Sequence, residues 1–417
     1  LTATPDQPGR VHTVGVMFLD VDGFKSVNDT HGHAVGDVVL RDIAQRLRRS
    51  IREVDFVARL GGDEFLVIVA DMNDPARLVG FGERMIREIE QPYTIGDQLF
   101  AVSASVGATM VESGDEPLSV IERADAAVYQ AKRRGRRRVE MFDKELQRSI
   151  EHAAELELAL RQAIQHGELR MYLQPIADLN TGLPAGAEAL VRWERPGVGL
   201  VFPNDFIPIA ERSGLIFELE RWVLETACRR IAEWRRLGQG QGMRLAVNIS
   251  GRHLIEGDLI ADLDDAIAAT GADPNLLEIE LTESQLLDDV ARASTVLSGV
   301  RARGVKVAID DFGTGYSSMT YLQKLPVDIV KIDRSFISSA TTNEFDSTII
   351  DTVVKLGRTL DLEVVAEGIE TAEQLAYVIN AGVGLGQGFL LAHPTPAHEA
   401  EAAIFNGPLF DRDAILA

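Results

Sequence analysis

The second half of the chain repeats one pattern: a short apolar segment that ends in an acid, an amide or a lysine. The clearest case is residues 305–309, whose β-branched apolar run predicts a buried strand. Asp310 and Asp311 follow this strand directly. Because neighbouring side chains on a strand point to opposite faces, the two carboxylates can serve two different centres. An ordinary turn is the alternative for this stretch alone, since Asp and Gly are common turn residues.

Eight such strands are predicted after residue 168, with helices between them. They are residues 170–176, 187–193, 244–249, 276–281, 305–309, 328–332, 363–366 and 386–391. This alternation predicts a (β/α)8 TIM-like barrel with its functional site at the carboxyl ends of the strands. The polar residues at those ends are Glu188, Asn248, Glu280, Asp310, Asp311, Lys331, Glu367 and Gln387. Acids and amides bind divalent metals and lysine offsets phosphate charge, so this set disfavours a merely solvated barrel mouth.

The first part of the chain predicts a different α/β domain with its own acidic site. Residues 14–20 form an apolar strand that ends at Asp20, and residues 57–60 and 65–69 form a hairpin around Gly61-Gly-Asp-Glu64. Asp63 at the hairpin tip can meet Asp20 across neighbouring strands. Such a carboxylate pair is typical of a site for Mg²⁺ and a triphosphate. The alternative is a Gly-Gly hairpin with polar tips and no ligand.

Composition narrows the class of protein further. The chain has 417 residues, which is enough for two or three domains. Its formal net charge of -22 argues against a nucleic-acid partner, which would need a basic face. The single cysteine, Cys228, lies in a helical pattern and suits a buried thiol in a reducing compartment. No apolar run is long enough for a membrane span, so we expect a cytoplasmic chain, whose longer parent protein could still be attached to a membrane.

Three motifs in the first part resemble the GGDEF diguanylate cyclase family: residues 59–65 (RLGGDEF), 18–24 (FLDVDGF) and 28–33 (NDTHGH). In that family two GTP molecules, one per protomer of a homodimer, condense to cyclic di-GMP. The resemblance implies a Mg²⁺ site from Asp20, the Val21 carbonyl and Asp63, with Asp63 helping to deprotonate the attacking 3′-hydroxyl. Five further positions match nucleotide contacts: Asn28 and Asp37 for guanine, Lys25 for the transition state, and Lys132 and Arg136 for phosphate.

Two further features of this part follow from the same resemblance. Arg52 and Asp55 stand at the spacing of the family's product-inhibition site, although an Arg and an Asp so spaced could equally form a surface ion pair. The helix and the Asp-x-Leu-Thr-Gly-Leu-x-Asn-Arg stretch that normally open the family's domain do not precede residue 14. We therefore expect an N-terminally incomplete domain and a sequence taken from a longer protein.

Residues 142–167 have an apolar face at helical spacing with charges elsewhere, which predicts an amphipathic helix. Such a helix either transmits orientation between domains or packs on its own domain. The expected division is a cyclase-like α/β sandwich over residues 1–143, a helical linker over 144–167 and a barrel over 168–410.

The motifs of the barrel resemble the EAL phosphodiesterase family over residues 168–400. They begin with residues 188–193 (EALVRW) and continue in order through residues 247–250 (VNIS), 280–283 (ELTE), 310–318 (DDFGTGYSS), 331–336 (KIDRSF), 366–370 (AEGIE) and 387–389 (QGF). The resemblance implies hydrolysis of cyclic di-GMP to linear pGpG by a water that two Mg²⁺ or Mn²⁺ ions activate. The implied metal ligands are Glu188, Asn248, Glu280, Asp310, Asp311 and Glu367.

The resemblance also implies roles outside the metal ligands. Lys331 would hold the water and offset the phosphate charge, and Gln174, Arg192 and Gln387 would contact the substrate. Glu283 and Glu370 would anchor the loop of residues 311–318, through which the family couples dimerisation to metal binding.

Three hypotheses remain open from the sequence. The chain is a bifunctional enzyme, or a phosphodiesterase whose front domain binds GTP as a sensor without turnover, or a silent receptor for cyclic di-GMP. The third is the weakest because silent receptors lose metal ligands, which this sequence retains. The residues do not separate the first two.

Overall fold

The protein is described here by a computed structural model that covers residues 13–95, 98–287, 289–314 and 325–416. It divides into two compact units, with the boundary between Ala154 and Glu155.

The first unit is built on a five-stranded sheet with the order β2-β3-β1-β6-β7. Its strands are β1 Val14–Asp22, β2 Phe56–Gly61, β3 Glu64–Ala70, β6 Ser103–Met110 and β7 Val139–Met141, and a separate hairpin pairs β4 Tyr93–Ile95 with β5 Gln98–Phe100. Its helices are α1 Phe24–His31, α2 His33–Ser50, α3 Pro75–Ile89 and α4 Pro117–Arg133. The predicted hairpin is confirmed, since β2 and β3 pair antiparallel around residues 61–64.

Helices cover both faces of this sheet, which explains why β1 is apolar almost throughout. Met17 and Leu19 of β1 belong to a core shared with α2 and α3, whereas Val16 and Phe18 pack with residues of α4. Strand alternation therefore sends neighbouring side chains of β1 into two different cores. Close packing of α4 requires Gly107, because a Cβ there would lie 1.9 Å from the Ala124 carbonyl oxygen.

Helix α5, Lys144–His166, occupies the predicted linker, and the boundary between the units falls within it.

The second unit is a closed barrel of eight strands, as predicted. In barrel order these are β8 Leu169–Asp178, β9 Pro184–Arg195, β11 Arg244–Asn248, β12 Leu277–Thr282, β13 Lys306–Phe312, β14 Ile329–Ile332, β15 Glu363–Ala366 and β16 Leu385–Gly386. The short strands β10 Gly199–Val201 and β17 Thr395–Pro396 extend the sheet from β9 and β8. The helices are α6 Pro203–Ser213, α7 Leu215–Leu237, α8 Gly251–Glu256, α9 Leu259–Thr270, α10 Glu283–Leu287, α11 Val290–Ala302, α12 Arg334–Ser339, α13 Glu344–Leu360, α14 Ala372–Ala381, α15 Ala397–Phe405 and α16 Arg412–Leu416.

Two expectations about the barrel were wrong. No helix separates the first two strands, because β8 and β9 form an antiparallel hairpin, and β8 is also antiparallel to β16. The last predicted strand, residues 386–391, shrinks to Leu385–Gly386. After Gly386 the backbone leaves the strand and pairs with the loop after β15, since Ile369 donates to the Gln387 carbonyl and Leu390 donates to the Ile369 carbonyl.

No helix within the described ranges combines the length and the hydropathy that crossing a bilayer requires.

Candidate functional site

A buried lysine forms the centre of the barrel's carboxyl-terminal mouth. Lys331 of β14 has no exposed side-chain surface, and its Nζ lies 2.8 Å from Glu280 of β12 and 2.7 Å from Glu367 just after β15. Asp310 of β13 and Glu188 of β9 are 3.4 and 3.7 Å from the same nitrogen. The parallel register of β11 to β15 places these strand ends side by side, as the sequence predicted.

Two amides fix the orientation of the acids. Asn248 at the end of β11 donates through Nδ2 to Glu188 Oε1 over 2.7 Å. Gln387 donates through Nε2 to Glu188 Oε2 over 2.8 Å and to Glu367 Oε1 over 2.9 Å. Both Glu188 oxygens are therefore held, and its carboxylate has one defined orientation.

The pair Asp310 and Asp311 does not split between two faces. Asp311 adopts a left-handed backbone conformation with φ 53°, and the pairing of β13 with β14 is irregular between Ile309 and Phe312. A left-handed non-glycine residue is strained and typical of functional sites. As a result one oxygen from each of Asp310, Asp311 and Glu367 lies within 4.8 Å of the others.

The carboxyl groups of the mouth outnumber the single ammonium of Lys331, and the pKa values of several of them are raised. Burial raises the pKa of Glu280 well above its usual range, against the attraction of Lys331 and with the repulsion of Glu188. Burial likewise raises the pKa of Glu367 to about 8, and burial with the Asp310 charge raises that of Asp311 to about 6. For Glu188 burial is outweighed by Lys331 and the two amides, so that its pKa is lowered.

This donor set fits divalent metal ions. Glu280 Oε2 is buried and accepts no hydrogen bond within the described part of the chain. A buried polar atom without a hydrogen-bond partner destabilises the folded state. Oxygen-rich clusters of carboxylates and an amide are the ligands that Mg²⁺ and Mn²⁺ prefer. A divalent cation bound here would counteract the rise in the pKa values of the acids, and Glu280 Oε2 would be free to coordinate it.

The predicted substrate contacts lie at the edge of this cluster. Gln174 of β8 stands opposite Glu188 of β9 in the register and donates to the Ala392 carbonyl over 3.2 Å. The guanidinium carbon of Arg192 lies 5.6 Å from the ring centre of Tyr172 and 5.5 Å from that of Phe202, and burial lowers its pKa.

The predicted loop anchors are described only in part. Glu283 Oε2 accepts from the Gly313 N–H over 3.1 Å, as expected of an anchor for the loop after β13. Residues 315–318 of that loop lie outside the described residues. Glu370 follows β15, and its backbone N–H donates to Gln374 Oε1 over 2.7 Å.

Sequence reasoning missed Asp333. Its carboxyl lies close enough to Asp311 to form a hydrogen bond with it and to raise its pKa further. Asp333 also caps α12 by accepting from the Ser335 N–H over 3.0 Å. The signal was available, since Asp333 follows β14 directly and the rule that selected the other acids applies to it equally.

The first unit brings its predicted cation site together. Lys132 Nζ of α4 lies 2.7 Å from Asp20 Oδ2, and the Val21 N–H donates to the Asp63 carbonyl over 3.3 Å. Burial raises the pKa of Asp20 against the attraction of Lys132, and the charge of Asp63 adds to the rise. Asp20, Asp63 and Lys132 thus share one corner at the end of β1.

The predicted guanine contacts lie on the two helices that follow. Asn28 is on α1 and Asp37 is on α2. A Cβ at Gly36 would lie 2.0 Å from Asn28 Oδ1, so glycine is required for the Asn28 amide to approach α2 beside Asp37. Lys25 is exposed on α1, and Arg136 is exposed in the turn after α4.

Arg52 and Asp55 contact each other. Asp55 accepts from the Arg52 side chain over 3.0 and 3.1 Å, from the Arg52 N–H over 3.0 Å and from the Ala70 N–H over 3.1 Å. The pair ties the start of β2 to the end of β3. Its inhibitory role stays a prediction.

Comparison with known proteins agrees with this architecture of a cyclase-like domain followed by an acidic barrel. The model of the EAL domain family matches residues 157–394, and that of the diguanylate cyclase GGDEF domain matches residues 3–138. The chain therefore belongs to the EAL family and carries a GGDEF domain ahead of the EAL domain.

Two curated relatives come from Pseudomonas aeruginosa. The bifunctional diguanylate cyclase/cyclic di-GMP phosphodiesterase MucR is 38% identical over 390 residues, covering 93% of this chain and 57% of MucR. The cyclic di-GMP phosphodiesterase NbdA is 36% identical over 384 residues, covering 92% of this chain and 49% of NbdA. This chain thus spans about half of either relative.

A solved structure described as the PaMucR phosphodiesterase in a c-di-GMP complex is 39% identical, with a TM-score of 0.57, covering 59% of this chain and 99% of that one.

Proposed function

We propose that the barrel hydrolyses cyclic di-GMP to linear pGpG and binds two Mg²⁺ or Mn²⁺ ions to do so. The observation that carries this proposal is the cluster of four carboxylates within 3.7 Å of one buried lysine, with Asp311 beside two of them. One buried Glu280 oxygen in this cluster has no hydrogen-bond donor within the described residues. The EAL membership and the relatives' described activity support the substrate. The metal ligands would be Glu188, Asn248, Glu280, Asp310, Asp311 and Glu367.

The chain's own residues prepare this chemistry. When bound, divalent ions would polarise the attacking water and stabilise charge on the attacking and leaving oxygens. Lys331 offers a fixed cation for the developing phosphate charge and holds the water, while Asn248 and Gln387 keep Glu188 in orientation. Gln174 and Arg192 would position the dinucleotide, together with Gln387.

The test is direct. The 417-residue chain is incubated with cyclic di-GMP and either Mg²⁺ or Mn²⁺, and products are separated by chromatography. Linear pGpG, lost on chelation and restored by either metal, is expected. A metal-replete protein that binds the dinucleotide and leaves it intact would instead support the silent receptor.

For the first unit we propose Mg²⁺-dependent binding of GTP at Asp20, Val21 and Asp63. Lys132 and Arg136 would bind its phosphates, Asn28 and Asp37 its guanine, and Lys25 would stabilise the transition state. Condensation of two GTP molecules needs two such sites, so synthesis would proceed in a homodimer. The alternative is that bound GTP activates the barrel without turnover.

A further inference from the structure

A second network of buried charges lies behind the barrel mouth, outside the proposed metal ligands. It consists of Glu220 on α7, His253 on α8 and Asp262 on α9, all less than 9% exposed. Buried charged groups are costly unless they are paired. The proposed chemistry uses none of the three, so another role must explain them.

The network holds the backbone that carries Asn248. Glu220 Oε1 accepts from the Ser250 N–H over 2.7 Å, two residues after Asn248. The Ile249 N–H between them donates to the Glu280 carbonyl over 2.9 Å. The two peptide N–H groups that follow Asn248, those of Ile249 and Ser250, therefore both have partners, and Glu220 on α7 provides the second.

His253 fixes Glu220 in turn. Its Nδ1 lies 2.8 Å from Glu220 Oε2, and its Nε2 lies 3.1 Å from Asp262 Oδ2. Each carboxylate therefore lies within hydrogen-bond distance of one imidazole nitrogen, which holds the ring between α7 and α9. Arg221 pairs in turn with Asp262 over 2.9 Å. The Phe217 ring meets the imidazole edge-on and completes the enclosure.

We propose that Glu220 and His253 are positioning residues for Asn248, and that they set the barrel's affinity for divalent metal. The inference rests on the proposed function of the barrel mouth. Asn248 is itself a proposed metal ligand, and its amide orients a second one, Glu188, by a direct hydrogen bond. A shift of the Asn248 backbone would therefore disturb both ligands. Residues that orient metal ligands typically change metal affinity ten- to a hundredfold when replaced.

The test measures Mn²⁺ binding to the full chain by the loss of the free-ion electron paramagnetic resonance signal. The Mn²⁺ bound at the barrel mouth is the part of the total Mn²⁺ binding that the Glu280→Gln substitution abolishes. The double variant Glu220→Leu/His253→Leu removes both partners and so leaves no unpaired buried charge, which favours folding. We expect it to bind Mn²⁺ about ten- to a hundredfold more weakly. Glu220→Gln keeps an acceptor for Ser250 and should remain within a fewfold of wild type.

The matched control is Glu363→Gln. Glu363 begins β15, at the opposite end of the strand from Glu367, and pairs with Arg244 over 2.6 Å. Losing that ion pair should leave Mn²⁺ binding unchanged. Equal weakening in this control, or in Glu220→Gln, would overturn the positioning role, as would wild-type affinity in the double variant.

A second readout needs no apolar substitution. In His253→Gln, hydrogen exchange at the Ser250 amide should accelerate together with a fall in Mn²⁺ affinity. Faster exchange without any change in affinity would overturn the proposal even if the double variant failed to fold. The failure of the proposed function is recognised separately: a wild type that binds Mn²⁺ but never cleaves cyclic di-GMP refutes the hydrolysis and leaves the positioning result standing.

Discussion

Among single residues, Lys331 is the one on which the proposed chemistry of the barrel depends most directly. It is the ammonium that the surrounding carboxylates share, and it has no contact with solvent. Lys331→Met keeps the length of the side chain and removes its charge. We expect kcat for cyclic di-GMP hydrolysis to fall at least about a hundredfold, since fixed charges at a developing anion contribute on that order.

The control for this substitution is Lys306→Met. Lys306 begins β13 and pairs with Asp328 over 3.5 Å, far along the strand from Asp310. Its loss should change kcat less than twofold. A similar loss of activity in both variants would mean that general destabilisation, and not the position of the charge, limits the rate.

A second residue, Asp55, tests what the Arg52 pair does. Three of its four hydrogen bonds are accepted from Arg52, and the fourth, from the Ala70 N–H, joins the start of β2 to the end of β3. An unsatisfied buried donor costs about 1–3 kcal/mol. Asp55→Ala should accelerate hydrogen exchange at the Ala70 amide by about tenfold or more. Asp42→Ala, which breaks the ion pair of the more exposed carboxylate Asp42 with Arg46, should leave that amide protected. An unchanged rate of hydrogen exchange at the Ala70 amide in Asp55→Ala would show that the Arg52–Asp55 pair does not hold β2 to β3.

At the scale of elements, the turn after α4 carries a further expectation. Arg136 and Arg137 both adopt left-handed backbone conformations, with φ 57° and 53°. Asp22 restrains this turn, since it accepts from the Arg137 N–H over 3.3 Å and from the Ser105 hydroxyl over 2.8 Å. Strain of this kind persists only where the surroundings impose it.

We therefore expect Asp22→Ala to weaken binding of a non-hydrolysable GTP analogue with Mg²⁺ about tenfold, because the turn that carries Arg136 would relax. Calorimetry on the full chain measures this. Asp115→Ala breaks an ion pair with Arg123 elsewhere in the same unit and should leave the affinity unchanged. Equal losses in both variants would contradict a specific role for Asp22.

The elements also show how far the sequence could predict the structure. Strands such as β1 and β13 are predictable because an apolar run marks burial on both faces, although both strands continue past their first acid, to Asp22 and to Phe312. The β8–β9 hairpin was missed because the alternation of strands and helices was extended to the first two strands, although residues 179–183 (LNTGL) are short and contain turn residues. Strand β16 is short because the Gln387 backbone pairs with the loop after β15, a contact between distant segments that no local pattern encodes.

The candidate site, like the fold, was predictable from the sequence only in part. Most acids of the mouth were predictable from their places at strand ends. Glu188 is the exception, because it lies inside β9 and not at its end. The common location of Asp310 and Asp311 depends on the left-handed Asp311, and period-two alternation alone predicts the opposite arrangement. Glu220 and His253 lie in helices, where an acid and a histidine usually indicate a solvated face, so their burial could only come from the packing of α7, α8 and α9.

At the scale of the whole chain, the question is whether the two units catalyse opposing reactions. The second unit would consume the product that the first would make, so wild-type chain given GTP can hide synthesis by hydrolysis. Lys331→Met separates the two, because it disables the barrel and leaves every proposed residue of the first unit in place.

We expect the Lys331→Met variant of the two-unit chain, incubated with GTP and Mg²⁺, to accumulate cyclic di-GMP, whereas wild type under the same conditions accumulates pGpG. Chromatography of the nucleotides at successive times measures both. Lys306→Met should behave as wild type does. If neither protein makes a cyclic product from GTP, the first unit is not a cyclase. A rise in the wild-type rate of hydrolysis of added cyclic di-GMP on addition of GTP would then assign it the role of a nucleotide sensor, because ligand binding can shift a conformational equilibrium without turnover.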